Sequence, residues 1–313
     1  MTRSALVLSL VIAGSGLMAG CALFGAAKRA PQEVTVERTP QRVARGAYLV
    51  NSVNACMACH SQLEPESHLP VEGKVGAGGR LFGREDGLPG NIYSTNLTPD
   101  PETGLGAWTD GEVLRAMREG VSRDGHALFP LMPYPMYHRM SDEDAYAIVA
   151  YLRTLKPIKN PVPKRELDFP LSLIVNTMPQ PLTGPVPNPP SAKENPVARG
   201  EYIVAMGSCI ECHTPMGGAG PDMSRMLGGG HMFKSEGHAI RMPNITPDKE
   251  TGIGSWTDAQ IEAAIRYGQK PNGDRLSPIM PWMVYNGMSK EDMDSVVAYL
   301  RTVKPVKTEG AKQ

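Results

Sequence analysis

The sequence contains one short motif twice, as Cys56-Met-Ala-Cys59-His60 and as Cys209-Ile-Glu-Cys212-His213. A similar stretch precedes each copy, Ala44-Arg-Gly-Ala-Tyr-Leu-Val50 before the first and Ala198-Arg-Gly-Glu-Tyr-Ile-Val204 before the second. Residues at positions i, i+3 and i+4 share one face of a helix. If each motif is helical, its two thiols and its imidazole therefore point in the same direction.

The duplication extends beyond the motif, which indicates two copies of one domain. Residues 96–159 and 244–307 align without gaps at an offset of 148, with 33 identities in 64 positions. The stretches before the motif align at an offset of 154 instead. We expect this slip to fall in the glycine-rich stretches 72–90 and 216–237, because loops tolerate insertions.

Helical periodicity predicts that each copy is a small all-α unit with long loops. A first helix is expected over about 41–53 and 195–207. The middle helix begins in a capping box, at Thr109 and Thr257, and is expected to end at Gly120 and Gly268. The last helix begins at Ser141 and Ser289. Between the copies, residues 157–196 include eleven prolines, which predicts an extended connector rather than a third domain.

The C-x-x-C-H spacing is the attachment motif of c-type haem. Two thiols on one helix face can bond to the two vinyl groups of one haem, and the adjacent histidine becomes an axial ligand of its iron. We therefore predict two haem c groups, attached through Cys56 and Cys59 with His60 on the iron, and through Cys209 and Cys212 with His213 on the iron.

Three other roles are possible for cysteines at this spacing. Disulfides suit an exported protein but leave the adjacent histidines unexplained. A four-cysteine zinc site requires cysteines of both domains to converge and also ignores the histidines. A thioredoxin-like redox pair needs a βαβ context that the sequence does not show.

Two aligned pairs of methionines are candidates for the sixth iron ligand, the one that completes coordination beside the motif histidine. Met132 and Met280 each precede a proline, which favours an extended backbone at the methionine, so that it can reach across a haem face. Met140 and Met288 also align, but each directly precedes the serine that caps the last helix, a position suited to packing. Methionine is frequent in this chain, with 18 copies, and any of these residues could fill the core.

The N-terminus has the order of a secretory signal: one charge at Arg3, an apolar run, and then small residues. Leu17-Met-Ala-Gly-Cys21 resembles a bacterial lipobox, in which the cysteine is lipidated and becomes the mature N-terminus. An ordinary cleaved signal and an uncleaved anchor are the alternatives. We expect an exported protein, anchored by lipid on Cys21 to the periplasmic side of a bacterial membrane.

The expected divisions of the chain are a signal peptide at 1–21, a tether at 22–40, domain 1 at 41–158, a Pro-rich connector at 159–195, domain 2 at 196–307 and a tail at 308–313.

Composition narrows the function further. The 32 Lys and Arg residues balance 32 Asp and Glu residues, and a chain without a basic excess is not typical of a nucleic-acid binder. The chain has only 5 phenylalanines, 3 tryptophans and 10 tyrosines, although aromatic rings usually fill much of a core. A large flat cofactor such as haem would fill the remaining space.

Over residues 41–307 the sequence resembles the multihaem cytochrome c subunits of membrane-bound bacterial alcohol, aldehyde and gluconate dehydrogenases. The resemblance includes C-x-x-C-H, the block from Asn96 to Trp108, Met-Pro-aromatic, and Ala150-Tyr-Leu152. It implies two tandem class I cytochrome c domains, with His60 paired with Met132 and His213 paired with Met280 as iron ligands. Such subunits typically carry three haem domains, whereas this chain carries two.

The leading hypothesis is electron transfer without catalysis. By resemblance, the chain accepts electrons from a periplasmic dehydrogenase and passes them to the respiratory chain. The alternative is a dihaem enzyme, such as a peroxidase or a sulfur-compound dehydrogenase, which needs one iron with an open or displaceable ligand. The close equivalence of the two copies argues against such a division of roles.

Overall fold

The computed structural model describes residues 29–217, 220–235 and 238–309. Each copy of the repeat forms a helical domain, and glycine-rich loops follow each motif helix. The α-helices of the described residues are α1 (Pro40–Tyr48), α2 (Cys56–Cys59), α3 (Asp110–Glu119), α4 (Tyr134–Tyr137), α5 (Asp142–Leu152), α6 (Leu171–Ile174), α7 (Pro196–Met206), α8 (Cys209–His213), α9 (Asp258–Tyr267), α10 (Trp282–Tyr285) and α11 (Lys290–Thr302).

The prediction of an all-α fold omits short strands. They are β1 (Leu81–Phe82), β2 (Gly90–Tyr93), β3 (Glu166–Leu167), β4 (Met216–Gly217), β5 (Gly220–Pro221), β6 (Met232–Ser235) and β7 (His238–Arg241). They pair antiparallel, in the order β1-β2-β3, β4-β5 and β6-β7. All but β3 lie in or beside the glycine-rich loops, where pairing gives the backbone polar groups of those loops their partners.

The middle helices α3 and α9 begin and end as the sequence predicts. The Thr109 hydroxyl accepts a hydrogen bond from the Glu112 backbone, and the Glu112 carboxylate accepts one from the Thr109 backbone at 2.8 Å. Thr257 and Gln260 repeat this capping box. The helices end at glycines with positive φ, Gly120 at 75° and Gly268 at 63°, where other residues are strained.

The first and last helices of each domain cross at a glycine. A Cβ atom at Gly46 in α1 would lie only 1.9 Å from the carbonyl oxygen of Ala147 in α5. The same distance separates a Cβ at Gly200 in α7 from the carbonyl oxygen of Ser295 in α11. The absence of a side chain at these two positions therefore allows the helix backbones to touch.

One continuous cluster of buried apolar side chains runs through both domains, and it includes Val50 and Ile148 of the first with Val204 and Val296 of the second. The two copies therefore share a core instead of standing apart on the connector. No helix in the ranges that the structure describes is long and apolar enough to cross a membrane.

Domain 1 contains one residue more than domain 2 just before its motif. Val50 aligns with Val204 at an offset of 154, whereas Cys56 aligns with Cys209 at an offset of 153. In the structure, α1 continues into a π-helical turn, Leu49–Val53, while α7 stays α-helical to Met206. Our expectation that the slip lies in the loops alone is therefore wrong by one residue, because a π turn absorbs a one-residue insertion within a helix.

The segment expected to be a tether packs on domain 1 from its first described residues. Val36 is buried in the core, and its backbone N–H donates to the Asp110 carboxylate at 2.9 Å. The Gln32 carbonyl oxygen lies where a Cβ of Gly111 would be, at 1.9 Å. The described part of the expected tether, whose sequence has no core-forming periodicity, therefore packs on domain 1. The signal peptide and Cys21 lie outside the described residues.

The connector is attached to domain 1 rather than free. Strand β3 pairs with β2, and Val175 is buried against Val121 and Ala127. At the other boundary, the buried Thr308 donates a hydrogen bond from its hydroxyl to the Gly228 carbonyl at 2.6 Å. The packed part of domain 2 therefore extends one residue into the segment that was expected to be a tail.

Candidate haem-attachment sites

Each motif forms a short helix of its own, set at an angle to the helix before it. The residue ahead of the motif has a left-handed backbone, with φ of 51° at Ala55 and 57° at Ser208. This conformation is unfavourable for residues with a Cβ atom, and strained residues of this kind concentrate at functional sites. Both copies therefore use the same costly turn to orient the motif.

The motif histidines are held in one tautomer. Nδ1 of His60 lies 2.8 Å from the carbonyl oxygen of Thr95, and Nδ1 of His213 lies 2.8 Å from that of Pro243. A carbonyl oxygen only accepts, so Nδ1 must carry the proton and donate. Nε2 is then left with a free lone pair, as a metal-ligating histidine requires. Burial lowers the pKa of both imidazoles, which favours the neutral, ligating form.

None of the four motif cysteines is joined in a disulfide bond. Burial raises the pKa of Cys56 and Cys209 to about 12. Burial, and then the charges of Glu211 and Cys59, raise the pKa of Cys212 to about 12 as well. These surroundings favour the neutral thiol over the thiolate. Within the described ranges, no three His, Cys, Asp or Glu side chains are grouped to bind a metal ion.

The two methionine pairs have different environments. Met132 and Met280 are half-buried at the edge of the core, each in a tight turn around the following proline. In these turns the Tyr134 N–H donates to the Met132 carbonyl at 2.7 Å, and the Trp282 N–H donates to that of Met280 at 2.8 Å. Met140 and Met288 are packed inside the core, only 1% and 6% exposed. This difference agrees with a packing role for the second pair.

Some buried polar atoms close to these elements have no hydrogen-bond partner. They are the amide atoms of Asn54, two residues before Cys56, together with Oη of Tyr134 and Nε1 of Trp282, each two residues after a candidate methionine ligand. Buried polar groups are normally paired, so an unpaired one needs an explanation. A haem carries two propionate groups that accept hydrogen bonds, so the donors at these positions fit such a group.

The motifs lie close to the boundary between the domains. A Cβ atom at Gly207, just before the second motif, would lie 3.5 Å from the Val53 carbonyl oxygen, just before the first. Cys59 is also near enough to Cys212 to contribute to its pKa. The two attachment helices are therefore neighbours across the domain boundary.

Reciprocal hydrogen bonds connect the domains around this boundary. The Tyr48 phenol of domain 1 donates to the Asp292 carboxylate of domain 2 at 2.7 Å. The Tyr202 phenol of domain 2 donates to the Asp144 carboxylate of domain 1 at 2.8 Å. Sequence reasoning missed this role, although the repetition of both residues at equivalent positions was a signal that could have revealed it.

Each of these carboxylates is also held by an arginine of its own domain. Arg45 binds Asp144 through Nε at 2.7 Å and Nη2 at 2.8 Å. Arg199 binds Asp292 in the same two-pronged way, at 2.7 and 3.0 Å. The interface is therefore related by an approximate two-fold axis, with the same arginine, carboxylate and phenol on each side.

Comparison with known proteins agrees with this geometry. The cytochrome c family profile matches residues 43–156 and 197–304, one region in each domain. The cytochrome c subunit of a quinone-dependent alcohol dehydrogenase from Komagataeibacter europaeus is 31% identical over 284 residues, covering 84% of this chain and 56% of that protein. The fructose dehydrogenase cytochrome subunit of Gluconobacter japonicus is 32% identical over 279 residues, covering 86% and 54%.

This chain therefore spans about half the length of those two relatives. A diheme cytochrome c-type protein of Cereibacter sphaeroides is 30% identical over 260 residues and is covered over most of its length, with 80% of this chain and 82% of that protein aligned. The duplicated C-x-x-C-H helices, the fixed histidine tautomers and these matches lead to one conclusion: the chain belongs to the cytochrome c family.

Proposed function

We propose that this protein is a dihaem electron-transfer cytochrome c and is not itself a catalyst. The observation that supports this most is the equivalence of the two motif helices, each with its histidine Nδ1 bound to a backbone carbonyl at 2.8 Å. Bound haem supplies a one-electron Fe(III)/Fe(II) couple. A pair of sites built alike suits relay of electrons better than a division into one catalytic and one accessory site.

Within each domain, the chain's own residues hold the cofactor. The thiols of Cys56, Cys59, Cys209 and Cys212 would hold the haem through thioether bonds to its vinyl groups. His60 and His213 would bind the iron through Nε2, and we assign Met132 and Met280 as the residues that would supply the other iron ligand in each domain.

The shared core and the reciprocal Tyr–Asp bonds fix one domain against the other. Electron transfer between two centres requires a stable separation, and an interface of this kind maintains one without depending on the connector. The donor that we propose is a dehydrogenase, because the relatives include cytochrome subunits of alcohol, fructose and gluconate dehydrogenases. The acceptor would be the respiratory chain.

We place the protein outside the cytoplasm, on the periplasmic side of a bacterial membrane, with lipid on Cys21 as its anchor. The charge, apolar run and lipobox-like residues of the N-terminus support this location. Attachment by several acyl chains is stable where a single chain is marginal. Mass analysis of the mature N-terminus tests it, and an unmodified Cys21 would contradict it.

The central experiment is to count haems per polypeptide. Haem staining after denaturing electrophoresis, with haem quantitation, should show two covalent haems in the native chain and one in a Cys209→Ala/Cys212→Ala variant. A reduced-minus-oxidised spectrum that cycles with a one-electron mediator would confirm electron carriage. One haem per native chain, or haem that acid-acetone extracts, would contradict the assignment.

A further inference from the structure

The connector exposes three large apolar side chains within six consecutive residues, 169–174. Phe169 is 80% exposed, Ile174 is 41% exposed and Leu173 is 36% exposed. Single exposed apolar residues are common on protein surfaces, but several together in one short element mark a contact surface. We call Phe169, Leu173 and Ile174 the connector patch.

The segment that carries the connector patch is docked on domain 1. The Asp168 backbone N–H donates to the Pro89 carbonyl at 2.9 Å, and its carboxylate pairs with Arg84 at 2.5 Å. On the opposite side of the patch from solvent, Val175 is buried against Val121 of domain 1. The patch residues are therefore held outward by a segment that is itself docked.

The N-terminal end of the described chain lies on the same side of domain 1. The Arg29 side chain donates to the Leu182 carbonyl of the connector, and the Arg29 carbonyl accepts from Arg115 Nη1 at 2.8 Å. Arg115 Nη2 in turn donates to the Ser122 carbonyl at 2.7 Å. Ser122 follows Val121, which packs against Val175, the residue that follows Ile174 of the connector patch.

This position limits how far the patch can be from the lipid anchor. Seven residues lie between Cys21 and Arg29, and a fully extended chain of these eight Cα–Cα steps reaches at most about 28 Å. This reach keeps the part of domain 1 around Arg29 within about 28 Å of the bilayer that holds the lipid. The connector patch is exposed apolar surface close to that part of domain 1.

We propose that the connector patch inserts into the surface of the phospholipid bilayer in which the Cys21 lipid is anchored, an inference that rests on the proposed lipid anchor. Apolar side chains gain free energy on leaving water for the acyl boundary, and this gain adds to that of the lipid. The contact gives the protein a fixed orientation, with the connector side of domain 1 toward the membrane.

The test uses the full-length lipidated protein with a nitroxide label in place of one side chain. Ile174→Cys places the label in the patch, and Met216→Cys places it at a residue of domain 2 that is 60% exposed. On vesicles of phosphatidylethanolamine and phosphatidylglycerol, collisions with oxygen should increase and collisions with a water-soluble nickel complex should decrease at position 174 only. Equal nickel access at both positions would overturn the proposal.

A second measurement uses the rate of protein transfer between vesicles. Phe169→Ser/Ile174→Ser should accelerate transfer by about tenfold or more, because two apolar side chains no longer contribute to binding. The control pair Met216→Ser/Met232→Ser removes two exposed apolar side chains of domain 2 instead and should leave the rate unchanged. An unchanged rate for the patch variant, or shielding of position 174 only after a dehydrogenase is added, would contradict bilayer insertion.

These outcomes are separate from those of the proposed function. An unlipidated Cys21 in the mass spectrum would remove the anchor, and a wrong haem count would remove the electron-transfer assignment. With two haems and a lipidated N-terminus both present, a freely accessible label at position 174 would reject the connector patch alone.

Discussion

Tyr48 and Asp292 are 244 positions apart in the chain, yet the Tyr48 hydroxyl donates a hydrogen bond of 2.7 Å to the Asp292 carboxylate across the domain boundary. Its symmetry mate joins Tyr202 to Asp144 at 2.8 Å. Each carboxylate is at the N-terminus of the last helix of its domain, beside the serine that caps that helix. The interface is therefore built on helix termini that each domain needs for its own fold.

Removing the hydroxyl of Tyr48 or of Tyr202 should lower the free energy of unfolding by a similar amount. We expect Tyr48→Phe and Tyr202→Phe each to lower the free energy of unfolding by about 1–3 kcal/mol, the range for a hydrogen bond to a charged group. Urea denaturation followed by circular dichroism measures this. Tyr267→Phe, at a half-exposed residue of α9, is the control, and losses no larger than its own would show that the bonds are unimportant.

Asp292 should make stability depend on acid pH. Burial by itself raises the pKa of Asp292, but hydrogen bonds from Arg199 and Tyr48 and the charges of Arg199 and Arg45 outweigh it, so the pKa is lowered. A carboxyl group with a lowered folded-state pKa stabilises the fold above its unfolded pKa of about 3.9, and this stability is lost as pH falls through the folded pKa.

We therefore expect Asp292→Asn to reduce stability at pH 7 and to flatten the loss of stability below about pH 4. Urea midpoints measured from pH 7 to pH 3 on native and variant protein give the comparison. A variant whose acid profile runs parallel to that of the native protein would show that Asp292 is not the group responsible.

Absorption spectra of alanine variants should distinguish the two methionine pairs. Met132→Ala and Met280→Ala should each remove about half of the far-red absorption band of ferric Met-ligated haem and lower one haem potential, because Met/His ligation raises the potential. Met140→Ala and Met288→Ala should keep the band but destabilise the fold by about 2–5 kcal/mol, as buried truncations do. The reverse pattern in the absorption band would exchange the two assignments.

The helix crossings at Gly46 and Gly200 offer a test of packing. Gly200→Ala places a Cβ atom 1.9 Å from the Ser295 carbonyl oxygen, so the helices must separate. We expect a loss of about 3 kcal/mol or failure to fold, since overpacking at a backbone contact cannot be relieved by a rotamer change. Gly184→Ala is the control, because no atom lies within 4 Å of the added Cβ. Its urea unfolding midpoint should be nearly that of the native protein.

Much of the local structure could be predicted from the sequence. The capping boxes at Thr109 and Thr257 and the helix stops at Gly120 and Gly268 depend on residues a few positions apart, and the structure confirms them. The motif helices, assumed from the sequence only as the condition for a shared face, are present in both copies. The iron-ligand assignments stay predictions, because the structure gives the environments of the methionines but not their bonds.

The features that the sequence did not reveal depend on distant contacts. The short strands in the glycine-rich loops follow from pairing that glycine permits but does not specify. Packing of Val36 on domain 1 depends on Asp110, 74 positions away. The Tyr48–Asp292 bond is also a distant contact: the repetition of both residues marks them as equivalent in the two copies, but does not show which partner each one meets.

The π-helical turn at Leu49–Val53 has a consequence for how the two copies could diverge in length. Successive residues of an α-helix are rotated by about 100°, so an inserted residue would swing the following chain through more than a quarter of a circle. Widening a single turn cancels that rotation. Ala55 and Ser208 then start their motifs with the same backbone geometry, and the duplicated chain keeps both histidines in phase although its halves differ in residue count.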